Sequence, residues 1–125
     1  MAQTEGVRVE VRSFYLPDRS DPAREIYFFG YRVRIANEGP APVRLVSRHW
    51  IVTDGAGRVE HIRGPGVVGE QPRLEPGEAL EYTSFCPLPS PFGAMRGSYQ
   101  MVRDDGSWFD AMIDSFSLEM PRSLN

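Results

Sequence analysis

From Tyr27 to Ala36 the chain alternates without a break: Tyr27, Phe29, Tyr31, Val33 and Ile35 on one parity, Phe28, Gly30, Arg32, Arg34 and Ala36 on the other. Successive side chains of an extended strand point to opposite faces, so this period of two specifies a strand with one face in a core. It is the longest such run in the sequence and predicts a central strand, which Asn37-Glu38-Gly39-Pro40 ends as a turn. The same period recurs in Val7, Val9 and Val11 against Arg8, Glu10 and Arg12, and in Leu80, Tyr82 and Ser84 against Glu81 and Thr83. Val43 to Thr53 places Leu45, Val46, Trp50, Ile51 and Val52 on both parities, which fits a strand buried on both faces or one carrying a bulge.

Turn signals punctuate these runs. Asp54-Gly55-Ala56-Gly57 and Asp104-Asp105-Gly106-Ser107 read as hairpins, with returning strands at Arg58 to Ile62 and Trp108 to Ile113. Phe116, Leu118 and Met120 continue the last strand until Pro121. Leu16 to Ala23 and the proline-rich Pro87 to Gly93 read as loops, and Glu75-Pro76-Gly77-Glu78 as a turn. No segment of about ten residues keeps a helical period free of Pro, Gly or β-branched interruption. The expectation is an all-β fold of about seven to eight strands, an immunoglobulin- or fibronectin-III-like antiparallel β-sandwich forming a single domain over residues 1–125.

Composition narrows the function classes. With 41% apolar and 25% charged residues in 125, one core forms without disulfides or metal. Cys86 is the single cysteine and has no internal partner, as expected in a reducing compartment. No apolar run approaches the roughly 20 residues that span a bilayer, and Met1 to Gly6 lacks the pattern of an export signal. A cytoplasmic protein with no membrane partner is expected. The net charge of −3 weighs against nucleic acid as a partner. All 14 basic residues are arginines, which excludes lysine Schiff-base chemistry and the phosphate-binding lysine of a P-loop.

Gly64, Gly66 and Gly69 have the G-x-G-x-x-G spacing of dinucleotide loops. In such loops the glycines bring backbone N–H groups to a pyrophosphate at the start of a helix. Here Pro72 and Pro76 follow closely and forbid the helix. Two readings stay open. Consecutive amides in this loop form an anion nest, with Arg63 and Arg73 as clamps. Alternatively, the glycines supply positive φ or close strand crossing in a long connection between sheets.

Arg48-His49 forms a second polar cluster inside a hydrophobic strand. His49 and His61, the only histidines, have no H-x-x-x-H spacing, and no metal site is expected. Cys86 between Phe85 and Pro87 reads as a small buried hydrophobe rather than a nucleophile. Arg8, Arg12, Arg32 and Arg34 lie on the outward parity of two strands, an arginine stripe on a solvated sheet face. No catalytic constellation emerges, and no cofactor is expected.

Several segments together resemble the ApaG family, also known as CorD. They are Tyr15-Leu16-Pro17, Ser47-Arg48-His49-Trp50-Ile51-Val52-Thr53-Asp54, Gly64-Pro65-Gly66-Val67-Val68-Gly69-Glu70-Gln71-Pro72, Pro76-Gly77-Glu78, Tyr82-Thr83-Ser84 and Gly93-Ala94-Met95-Arg96-Gly97-Ser98-Tyr99-Gln100-Met101. Phe85 and Pro65 depart from the family pattern. The resemblance covers almost the whole chain and marks Arg48, His49, Glu70 and Gln71 as its polar motif residues. It implies a sandwich of the kind read from the strands, and an association with cobalt resistance and magnesium efflux. The expected function is a non-enzymatic binding or regulatory module with a protein partner, compatible with a homodimer. The alternative is a pyrophosphate- or nucleotide-binding protein that uses the glycine-rich loop.

Overall fold

A computed structural model describes residues 1–121; residues 122–125, the end of the expected domain, lie outside the described residues. Among the described residues nine strands form two antiparallel sheets: β1 (Ala2–Thr4), β2 (Val7–Tyr15), β3 (Tyr27–Asn37), β4 (Val43–Asp54), β5 (Val59–Pro65), β6 (Arg73–Leu74), β7 (Ala79–Leu88), β8 (Phe92–Arg103) and β9 (Trp108–Glu119). One sheet runs β1-β2-β3-β7 and the other β5-β4-β8-β9, with β6 also paired to β4. The all-β sandwich is as expected. The strand count is nine against the expected seven to eight; the short β1 and β6 are too brief for a periodicity to register.

The alternating runs fill the space between the sheets. Val7, Val9, Phe29, Tyr31, Val33 and Ile35 face Leu45, Trp50, Val52, Met95, Tyr99 and Met101, all buried. Removing such side chains from water contributes roughly 1.5–3 kcal/mol each. Trp50 anchors the centre, with ring centroids 5.1 Å from Tyr31, 5.8 Å from Phe116 and 6.2 Å from Tyr99. Arg8, Arg12, Arg32 and Arg34 face outward, as their parity requires. Arg12 stands directly opposite Arg32, while Arg32 and Arg34 both lean on Glu81.

Two loop expectations are corrected. Leu16 to Ala23 contains short 3-10 turns at Pro17–Arg19 and Pro22–Arg24, each with proline in its first positions, where no backbone N–H is needed. The Pro87-to-Gly93 loop is shorter than expected, because Pro87 and Leu88 belong to β7 and Phe92 and Gly93 to β8. Pro87 is tolerated because β7 ends its sheet, so the missing donor costs no ladder bond.

The two flanks of the sandwich differ. On one, β9 packs against β1 and β2; Ser13 Oγ donates to Ser117 O (2.8 Å) and Met112 N–H to Thr4 Oγ1 (3.2 Å). On the other flank the terminal strands β5 and β7 leave the sandwich open.

Candidate functional site

The glycine-rich segment is organised by a fault in β4. Val43 and Leu45 are buried at odd positions, whereas Trp50 and Val52 are buried at even ones. One extra residue must restore the inward phase, and the ladder with β8 shifts between Leu45 and Ser47. The bulge leaves Val46 with its carbonyl turned toward the free side of β4. Gly66 N–H (2.8 Å) and the Gln71 side-chain amide (2.9 Å) both donate to it. Leu45 N–H donates to Pro72 O (3.0 Å) and Arg44 Nη1 to Gln71 O (2.7 Å). Arg48 Nη1 holds the carbonyls of Pro65 (2.8 Å) and Gly66 (2.9 Å). Charge-assisted bonds of this kind are about twice as strong as neutral ones.

The segment therefore stays within one sheet instead of connecting two, since β5 and β6 both pair with β4 on either side of the bulge. Between them Val67 N–H donates to Glu70 O (2.8 Å) and Glu70 N–H to Val67 O (2.9 Å), closing a tight turn. Three amides, those of Gly66, Val67 and Glu70, are thus spent within the fold. The glycines divide their roles: Gly64 lies in β5 under the Arg48 guanidinium, Gly66 braces the bulge, and Gly69 sits at the turn tip. Arg63 and Arg73 are not gathered around this turn. Arg63 lies in register with His49, and Arg73 pairs with Glu75 and with Asp104 (Nη2 to Oδ2, 2.5 Å).

The pleat also splits the Arg48-His49 cluster. Arg48 shares the inward parity of Trp50, while His49 faces outward. There His49 Nε2 meets His61 Nδ1 at 2.8 Å, one ring donating and the other accepting. Burial, followed by the neighbouring Arg63 and His61, holds the His49 imidazole below its ordinary pKa of 6.5. Glu70, the other charged motif residue, is exposed at the turn.

The open flank is the second notable feature, and periodicity alone gave no sign of it. On β5, Gly64, Ile62 and Glu60 stand in register with Arg48, Trp50 and Val52 and share their inward face. Yet Ile62 is 40% exposed where Trp50 is 2%. Sheet β5-β4-β8-β9 therefore overhangs its partner by one strand. The resulting mouth, about 280 Å³, is lined by Tyr31, Arg48, Trp50, Ile62, Cys86 and Met95. It continues past Glu60 and Pro87 as a second hollow of about 310 Å³ toward Asp54 and Pro89.

In and behind the mouth the thiol and the phenols are held neutral. Burial, with Glu60 nearby, pushes the Cys86 thiol up to about 11. The Tyr82 and Tyr99 hydroxyls bond each other, and burial raises both phenols. Tyr31 is raised by burial too, partly offset by Ser84. Of the candidate site residues read from the sequence, Arg48 lines this mouth, beside Cys86 and Phe85, whereas Arg63, Arg73, His49, Glu70, Gln71 and the three glycines do not. Ile62, Glu60 and Tyr31 were missed. The one available sign was the parity switch in β4, which fixes which residues of its neighbour face inward.

The sequence pattern of the ApaG domain matches residues 17–103. A protein named ApaG from Anaeromyxobacter dehalogenans (strain 2CP-C) is 58% identical over 124 residues, covering 99% of this chain and 98% of the relative. A protein of the same name from Bordetella pertussis is 53% identical over 117 residues, 94% of this chain and 89% of the relative. The crystal structure of the ApaA protein from Bordetella pertussis superposes with a TM-score of 0.91 at 50% identity, covering 98% of this chain and all of that one (100%).

Proposed function

Since the chain belongs to the ApaG family, we propose that it acts as a non-enzymatic binding or regulatory module that recognises another protein. The observation that carries this reading is where the fold spends its distinctive residues. The glycine segment and Arg48 brace the β4 bulge, the histidines bond each other, and the Cys86 thiol is buried and raised. What the fold leaves unused is surface: an open flank with apolar inner residues and two terminal strands. Unpaired strand edges and apolar grooves are the means by which small β domains bind partners. A cytoplasmic regulatory partner accommodates the family association with cobalt resistance and magnesium efflux without requiring this chain to hold the metal.

The test is capture from an extract of the source organism followed by titration with the purified partner. A saturable, stoichiometric complex is expected, with no turnover of nucleotides. Repeated capture without such a partner, or nucleotide hydrolysis abolished by His49→Ala, would overturn the reading. The alternative, pyrophosphate or nucleotide held at the glycine turn, rests on the Val68 and Gly69 amides and needs Arg63 or Arg73 to swing to the turn on binding. It requires calorimetric binding of pyrophosphate, ATP or diadenosine tetraphosphate that weakens in Arg63→Ala plus Arg73→Ala.

A further inference from the structure

We infer that the open flank accepts an extended peptide that pairs with the free edge of β7 and covers the inner face of β5, placing an apolar side chain over Ile62 between an acidic residue at Arg48 and a basic residue at Glu60. The inference rests on the binding-module reading and names the site and partner chemistry for it.

Three observations carry it. The first is the overhang: Ile62, Glu60 and Gly64 face inward but have no strand of the opposite sheet above them. An added strand beside β7 would lie above them, because packed sheets run roughly aligned. The second is the state of the β7 edge. Asn37 N–H donates to Glu78 O (2.9 Å), which sets the phase of the β3–β7 ladder. Counting by twos, Tyr82, Ser84 and Cys86 bond β3, while Glu81, Thr83 and Phe85 turn their N–H and C=O groups to the open flank. Pro87 falls in the same phase and ends the run of donors. The pairing-competent edge therefore runs from Ala79 to Phe85.

The third is charge. Arg48 and Glu60 lie on the inner face on either side of the Trp50–Ile62 pair, each two residues from it along its strand. Among the described residues Arg48 reaches only carbonyls, and Glu60 is in no ion pair. A strand crossing this face presents alternate side chains to it. The matching peptide reads acid–x–apolar–x–base, with a hydroxyl or small residue tolerated at x. Main-chain pairing supplies affinity and the three inward side chains supply selectivity. The outer aromatic pair Phe28–Phe85, capped by Arg19, stiffens the edge that the peptide joins.

The experiment is selection of randomised 12-residue displayed peptides on the intact protein, followed by affinity measurement with the enriched synthetic peptides. The expected result is enrichment of the acid–x–apolar–x–base pattern. Affinity should fall at least tenfold for Thr83→Pro, which removes an edge donor, and for Ile62→Asp. It should be unchanged for His49→Gln on the outer face. N-methylation of alternate peptide amides keeps the test independent of protein folding: one phase abolishes binding and the other spares it. No enriched peptide, a different pattern, or binding indifferent to Thr83→Pro and to N-methylation would overturn the strand-addition site. A captured protein that binds elsewhere overturns this inference but leaves the binding-module reading standing; failure of both capture and selection removes both.

Discussion

Replacing Gly66 by alanine tests whether the glycine motif is architecture. A Cβ on Gly66 would stand 1.9 Å from the Glu70 carbonyl oxygen and 2.7 Å from its carbon. Both are backbone atoms, so no side-chain rotation relieves the contact. The residue also has φ +54°, a left-handed conformation that costs an L-residue roughly 1–2 kcal/mol. Moving the Glu70 carbonyl away breaks its bond from Val67 N–H, and moving Gly66 breaks its bond to Val46 O. Each lost bond costs about 1 kcal/mol. The sum is roughly 3–4 kcal/mol, a large share of the 5–15 kcal/mol that holds a domain together. Gly69 is the internal control. It has φ +77° but no heavy atom within 4 Å of the place a methyl group would take, so Gly69→Ala costs only the backbone strain, roughly 1–2 kcal/mol. Equilibrium urea unfolding reads both variants. At a slope of about 2 kcal/mol/M, Gly66→Ala lowers the midpoint by roughly 1.5–2 M and Gly69→Ala by less than about 1 M. Equal shifts would refute the assignment of Gly66 to the bulge brace.

Arg48→Ala should destabilise the fold by roughly 2–4 kcal/mol in the same assay, since it leaves the Pro65 and Gly66 carbonyls without their charged donor; Arg48→Lys should recover only part, lacking the forked geometry. Because His49 is held below its ordinary pKa, the unfolded chain takes its proton more readily. Its contribution to stability is therefore complete above about pH 6.5 and is lost as pH falls through the folded-state value. Urea midpoints at about pH 7.5 and 5 should show this loss, reduced in His49→Gln; an equal pH dependence in that variant would contradict it. Cys86, buried with its thiol raised to about 11, should resist iodoacetamide in the native protein at neutral pH and alkylate promptly in denaturant. Rapid native labelling would refute its burial.

How far the sequence carried depends on how local each decision is. The Tyr27-to-Ala36 alternation specified β3 and its buried face, because side-chain direction follows from strand geometry alone. The hairpin at Asp104 to Ser107 was equally legible. In β4 the two parities announced either double burial or a bulge, and register with β8 selected the bulge. Arg48-His49 looked like one cluster in sequence, but adjacent strand residues face opposite ways, so the two side chains end on different sides of the sheet.

The sequence by itself determined the strand content, the inward faces and the family, since periodicity and motif are properties of contiguous residues. Only the tertiary structure decided that the G-x-G-x-x-G segment bends around a fault in its own sheet. The Val46 carbonyl that consumes its amide lies twenty residues earlier, reached through pairing that no local pattern encodes. The open flank was likewise decided in three dimensions. Whether an inward-facing residue such as Ile62 is covered depends on how many strands the opposite sheet contributes, and that count is a matter of how strands from distant parts of the chain are ordered.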